Sequence, residues 1–429
     1  MTIRGGFSDE AKLLCLTSLS SWTEAERADM KRLAAGPLNR TALAELAEIN
    51  AVSTKLSRTL PGLLPSADNI AAEIAAINER RAGWGWRFLD AFADAGIEVI
   101  LLKGFQFAAT IYADAAYKKM NDVDILIRYA DAAKACEILR ALGFENLKGL
   151  YGKNELSTKS HHTPAFASAD LDCIVGLHWG LISPKAPWKP DIDGIWQRKV
   201  AIAGTRVFAM SPEDNVLHLA VHLPYYKTGL RELADVYNVI REAKGGFDWD
   251  AFDAHVRTAG AEDPVYRVVK LADALVSVGI PTVLEARWRA GSLPSTVRDT
   301  DARCAHPTQL LRSRSVMAGK IEKQYVIFFR SRNLRERAAT WFRMHRMLAL
   351  PDTDEVDRLS PTGFSQGARL RAPFQLWSAL ARDHGHLAMV GMEVVNASLL
   401  VVSLLTLPWS WNGIRFAQRP EAPLMARLE

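Results

Sequence analysis

Apolar positions recur at i, i+3, i+4 and i+7 through most of the first 95 residues, the period of amphipathic helices. The pattern predicts helices over 23–35, 41–60 and 69–96. Thr41 is placed to cap the second of these, with Glu45 in the following turn. Pro61 and Pro65 break the chain before the third. From Gly96 the period changes. IEVILL (97–102) is a short β-branched apolar run and reads as a buried strand. A helical stretch follows over 105–115. DVDILI (122–127) alternates strictly, with Val123, Ile125 and Ile127 on one face and both aspartates on the other. A helix over 130–143, closed by Gly143, and strands over 171–179 and 205–210 complete this part.

Helical periodicity returns at Ser211-Pro212-Glu213-Asp214, an N-cap, a first-turn proline and two first-turn acids. It continues over 231–243, 248–260 and 265–279. Strands mixed with helices, then helices alone, point to an α+β protein: a small mixed-sheet core flanked by N- and C-terminal helical segments. The expected division is a helical segment over 1–84, an α/β core over 85–210 and helices over 211–300. A basic helical region with an apolar tail then occupies 301–429.

Composition adds little to the fold and something to the partners. Of 429 residues, 49% are hydrophobic and 24% charged, which excludes collagen-like, disordered and disulfide-scaffold classes. The four cysteines are far apart, with no metal-ligand spacing, as in a reduced compartment. The first residues lack the apolar run of a signal peptide, so a cytoplasmic protein is expected. The net charge of +5 is uneven: residues 301–429 carry 18 Lys+Arg against 11 Asp+Glu, and residues 1–300 carry 35 against 37. The surplus lies between Arg303 and Arg346, interleaved with Tyr325, Phe328, Phe329, Trp341 and Phe342. Two readings stand: a solvated Arg face on an amphipathic helix, or a surface for nucleic acid or anionic lipid. The apolar run 386–409 contains Glu393 and Asn396 and is short for a bilayer span. It reads as a buried helix or as a peripheral membrane contact.

The candidate chemistry sits at Asp122-Val123-Asp124, with Lys103-Gly104 at the end of the preceding strand. Residues i and i+2 of a strand point the same way, about 7 Å apart. Two carboxylates then face one site from a rigid element and can hold Mg²⁺ or Mn²⁺ with phosphate oxygens completing the shell. Gly104 would let the backbone approach a phosphate, and Lys103, Lys118 or Lys119 would neutralise it. Asp191/Asp193 and Asp248/Asp250 repeat the D-x-D spacing without that strand and turn. His218 and His222 lie one helical turn apart but lack the Glu of H-E-x-x-H, so they read as a structural or substrate-facing pair. Gly363-Phe364-Ser365-Gln366-Gly367 lacks the buried strand of a nucleophile elbow. No Walker A or G-x-G-x-x-G sequence occurs.

Residues 96–127 (GIEVILLKG through NDVDILI), His161-His162 approaching Leu177-His178-Trp179, MSPEDNVLHLAVHL, LRELADVYNVI and FDWDAFDAHVRTAG resemble one known group. It is the uncharacterised bacterial nucleotidyltransferase family, a branch of the DNA polymerase beta-like nucleotidyltransferase superfamily. The resemblance spans about residues 30–360 and implies transfer of NMP from an NTP to an acceptor, with pyrophosphate released. It implies metal binding by Asp122 and Asp124, and triphosphate contacts from Lys103 and Gly104. Lys118 stands where the family usually has an arginine. Asp235 matches an acid of the helical segment. The superfamily's third carboxylate would stand just before Leu177-His178-Trp179, where this chain has Gly176. Asp172 is on the same strand face but about 13 Å away. Two outcomes follow: two acids working with His178, with His161 and His162 near the acceptor, or a degenerate nucleotide-binding regulator or scaffold.

Overall fold

The amphipathic start of the chain folds as five helices: α1 (Asp9–Thr17), α2 (Glu24–Ala35), α3 (Arg40–Ile49), α4 (Ser53–Thr59) and α5 (Pro65–Asp94). Each start has a local cause. Ser8 accepts from the Ala11 amide, and Thr23 and Glu26 form a reciprocal capping box. Asn39, not Thr41, caps α3 by accepting from the Ala42 amide. The single helix expected over 41–60 is two, because Ala51 adopts φ +52° and turns the chain between α3 and α4. The computed structural model describes residues 7–112, 114, 116–147, 156–223, 229–305, 311, 334–349, 373, 374 and 377.

After Gly96 (φ +76°) come β1 (Ile100–Leu101), α6 (Lys103–Thr110), β2 (Val123–Leu126) and α7 (Ala132–Ala141). Then follow β3 (Phe144–Asn146), β4 (Phe166–Ser168), β5 (Ile174–His178), α8 (Ile192–Gln197), β6 (Val200–Ala201) and β7 (Phe208–Ala209). The sheet order is β3-β4-β5-β2-β1-β7-β6. β2 runs parallel to β5 and antiparallel to β1, in a register that sets Asp124 beside Gly176 and Leu126 beside His178. The α+β class with a mixed sheet expected from the sequence is the class observed.

Strand alternation gives the sheet two unlike faces. Leu101, Val123, Ile125, Val175 and Leu177 pack with Phe88, Leu89 and Phe92 of α5 and with Ala135 and Leu139 of α7. Ile100, Leu102 and Leu126 pack on the other side against Ile195 and Trp196 of α8 and Met210. Asp124, Gly176 and His178 have the parity of Leu126 and share that second face.

The chain continues as α9 (Pro212–His222), α10 (Leu230–Arg241), α11 (Trp249–Ala259), α12 (Glu262–Leu275), α13 (Thr282–Gly291) and α14 (Pro294–Ala305). Ser211 caps α9 as expected, accepting from the Asp214 amide. Helices from both ends of the chain meet: Asn238 of α10 donates to the Ser18 carbonyl and accepts from the Ser20 amide, and Arg241 pairs with Glu26 at 2.6 Å. Residues Met1–Asn146 and Lys153–Val316 form one compact unit. A second takes Leu147–Gly152 and Met317–Glu429, and in it α15 (Leu334–Ala349) stacks Trp341 on His345, ring centroids 3.9 Å apart. Among the described residues no helix is long and apolar enough to cross a membrane. The apolar run 386–409, the G-x-S-x-G at 363–367 and most of the basic stretch lie outside the described residues. Arg303, read from sequence as part of that stretch, is buried in α14 and pairs with Asp299 at 3.1 Å. It joins Arg267 on the same carboxylate instead of presenting charge to solvent.

Candidate active site

The parallel β2–β5 pair carries the site. Asp124 is buried at 7% exposure, which would leave a carboxylate expensively desolvated without partners. Two meet it. The Lys103 ammonium donates to Oδ2 at 2.6 Å, and His178 Nε2 lies 3.0 Å from Oδ1. Burial pushes the Asp124 carboxyl up, but Lys103 and His178 outweigh it and hold the group well below the usual carboxylate range. Asp122 stands just ahead of β2 and is exposed. The Asp124 charge first and desolvation second push its carboxyl up to about 6, against the pull of Lys103, His178 and Arg81. Two like charges on one strand end produce this split, one acid firmly ionised and the other held near neutrality.

Lys103 opens α6 with φ +48°, a conformation that non-glycine residues adopt at a cost of about 1–3 kcal/mol. The sequence singles out Gly104 of this bend for a close approach of the backbone to a phosphate. The structure places the left-handed residue one position earlier. A Cβ on Gly104 would make only an ordinary 3.6 Å contact with Met120. Gly104 lies in the first turn of α6, whose cap Leu102 offers no side-chain acceptor, so the α6 amino end is open to an anion.

Lys118 does not join this group. Its ammonium pairs with Asp235 of α10, which also accepts from the Tyr112 hydroxyl at 2.7 Å. Asp235 thereby acquires a role that the sequence left open: it ties the loop before β2 to the helices that follow the sheet. Lys119 is exposed. Asp172, expected on the strand of Gly176, lies ahead of β5 and pairs with Arg80 of α5 at 2.9 Å.

Two residues bear on the site beyond those the sequence reading gathered around Asp122 and Asp124. His218 of α9 is fully buried, and burial first, then the charges of Lys103 and His178, hold its imidazole well below its ordinary value. It stands as a neutral ring behind the site. Its signal was the H-x-x-x-H spacing on an amphipathic helix, read as a structural or substrate-facing pair with His222. Arg81 of α5 donates to the Met120 carbonyl, leaves its buried Nε without a hydrogen bond, and bears on Asp122 electrostatically. Nothing in the stretch 78–83 distinguished it from a solvated helix cation. His161 and His162 do lie beside His178, with ring centroids 5.6 and 5.0 Å from it, and His162 bridges to the His178 backbone.

The donor set bears on metal. Two hard carboxylates on one strand end, one raised by the charge of the other, fit a single Mg²⁺ or Mn²⁺ that reserves its other positions for water and phosphate. Among the described residues no three His, Cys, Asp or Glu side chains are arranged to share an ion. The position facing Asp124 is Gly176, and there is no carboxylate there.

No curated protein and no solved structure matches the chain. A family model described as uncharacterised nucleotidyltransferase matches residues 38–277, from the end of the α2–α3 connection to just past α12, and so takes in every site residue above. Matched over more than half its length, the chain belongs to this uncharacterised nucleotidyltransferase family.

Proposed function

We propose that the chain is a nucleotidyltransferase of the polymerase beta-like kind, moving NMP from an NTP to an acceptor hydroxyl or amine. The observation that carries this reading is the gathering of Asp122, Asp124 and Lys103 at one strand end, beside the open amino end of α6. A divalent ion held by Asp122 and Asp124 would supply charge neutralisation on the triphosphate. Lys103 and the first-turn amides of α6, Gly104 included, would orient the phosphates. The acceptor oxygen or nitrogen forms its bond to the α-phosphorus as the bond to the pyrophosphate oxygen breaks. The acceptor proton passes to the His178–Asp124 pair, the base nearest that end of the site. His161 and His162 border the acceptor side. Lys118, held by Asp235, would support the loop before β2 rather than touch phosphate.

Gly176 favours one second reading: a nucleotide-binding regulator or scaffold that has lost transfer with its third acid. The two separate in one experiment. The protein is incubated with mixed NTPs, Mg²⁺ or Mn²⁺ and candidate acceptors (small molecules, peptides, sugars, RNA), and products are read by mass spectrometry. A mass gain of one NMP, absent in Asp122→Asn and Asp124→Asn, supports transfer. Nucleotide binding with no product for any acceptor supports the regulator. A cytoplasmic protein with a peripheral membrane contact at 386–409 is compatible with either.

A further inference from the structure

The loop between α6 and β2 delivers Asp122, and two side chains of α5 hold its backbone. Asn78 and Arg81 stand three residues apart and share a helix face. Both are buried, at 1% and 8% exposure. Asn78 uses both ends of its amide on the loop: Nδ2 donates to the Lys118 carbonyl at 2.8 Å, and Oδ1 accepts from the Met120 amide at 3.1 Å. Arg81 Nη1 donates to the Met120 carbonyl. Met120, two residues ahead of Asp122, thus has both backbone groups taken by α5. Its side chain joins the core that contains Val123, and its Cγ lies 3.6 Å from where a Cβ on Gly104 would stand. The loop is pinned between α5 and the first turn of α6.

A buried guanidinium whose Nε makes no hydrogen bond is disfavoured. Asp122 is among the charges that offset its burial. Two apolar side chains would pack there without that penalty, but they would leave the loop backbone unheld. From this we infer that Asn78 and Arg81 are positioning residues: they clamp the loop 118–120 and so set where Asp122 stands relative to Asp124. The inference rests on the reading that these two acids hold the ion. The two roles open to Arg81 have opposite signs. As a nearby positive charge it repels a cation, so its removal strengthens Mn²⁺ binding. As a clamp it orients a ligand of the ion, so its removal weakens binding. Asn78 carries no charge and tests the clamp alone.

The full chain is titrated with Mn²⁺ in the presence of α,β-methylene analogues of ATP, GTP, CTP and UTP, and free Mn²⁺ is read by electron paramagnetic resonance. Asn78→Ala and Arg81→Met should each bind Mn²⁺ about tenfold more weakly than wild type. Arg81→Lys, which keeps a donor for the Met120 carbonyl, should recover part of the loss. Arg80→Met, which breaks the neighbouring pair with Asp172, should bind as wild type does. A second readout needs no ion: in hydrogen exchange followed by mass spectrometry, the segment 118–122 should exchange faster in Asn78→Ala than in wild type, with α9 unchanged. Unchanged or tighter Mn²⁺ binding in Asn78→Ala and Arg81→Met, or an equal loss in Arg80→Met, overturns the clamp and leaves the nucleotidyltransferase reading standing. A wild type that binds no Mn²⁺ with any analogue overturns that reading and this inference together. Where a variant does not fold, the wild type decides: no exchange protection over 118–120 overturns the clamp.

Discussion

At the residue scale the site is governed by which charge each acid sees. Asp124 sees Lys103 and His178, and Asp122 sees Asp124. The asymmetry predicts a measurable change. Asp124→Asn removes the charge that raises Asp122, so the Asp122 carboxyl should fall from about 6 toward the ordinary value of 3.8. Carboxyl carbon shifts followed by NMR across pH 3–8 check this. An Asp122 that still titrates near 6 in the variant would mean that burial, not its neighbour, sets the value. The Asp122/Asp124 pair was legible in the sequence because strand alternation fixes which side chains share a face. At the Lys103-Gly104 bend the left-handed conformation falls on Lys103 and not on the glycine, and the Lys103 side chain is held by Asp124. Local sequence reports what a residue tolerates, and the ion pair decides what it adopts.

At the element scale the helices around the sheet are joined by a polar cluster as well as by apolar contact. Lys55 of α4 is fully buried, reaches the Tyr112 hydroxyl at 3.2 Å and lies over the Tyr112 and Tyr117 rings. Tyr112 donates to Asp235 and accepts from Asn238, both on α10, so α4, the loop before β2 and α10 share one network. Burial pushes the Lys55 ammonium down to about 7, with Asp235 opposing. The unfolded chain holds its proton up to about 10.5, so between pH 7 and 10.5 the unfolded state binds more protons than the folded one. Stability from this group therefore rises with pH through that window and is flat below it. Over the accessible part, pH 7 to 9, the gain is on the order of 2 kcal/mol. Urea unfolding of wild type and Lys55→Met at pH 7, 8 and 9 should show the wild type gaining on the variant as pH rises. Parallel curves would sink the argument. This cluster was not legible in the sequence, since Lys55 sits in a stretch whose periodicity allows an exposed lysine. The longer helices were legible because each spans several turns of apolar period. β3, β4 and β6 were not, because two or three residues carry no period.

At the scale of the whole molecule the residues that meet at the site are dispersed along the chain. Arg81 comes from α5, Lys103 from α6, Asp122 and Asp124 from the edge and body of β2, His178 from β5 and His218 from α9. A ligand that contacts this set holds together segments separated by more than one hundred residues, and no single element can open without losing it. Binding to the folded state alone stabilises by about 2.7 kcal/mol at one hundred times Kd. For a unit of 310 residues, with an unfolding entropy of about 2.1 cal/mol/K per residue, that corresponds to a Tm rise of roughly 4 °C. Differential scanning fluorimetry with each NTP analogue and Mn²⁺ should show this rise for the transition of the unit containing Met1–Asn146 and Lys153–Val316. Asp124→Asn should abolish the ligand-dependent part while leaving a cooperative transition. A rise of equal size in that variant would place the nucleotide elsewhere. The basic stretch between Arg303 and Arg346 is the competing location, and salt separates the two. Binding by phosphate neutralisation alone loses affinity steeply between 50 and 200 mM salt. The Tm rise expected here depends on Asp124 and Mn²⁺ at both concentrations, because a buried carboxylate paired with Lys103 is far less screened than a solvent-exposed charge.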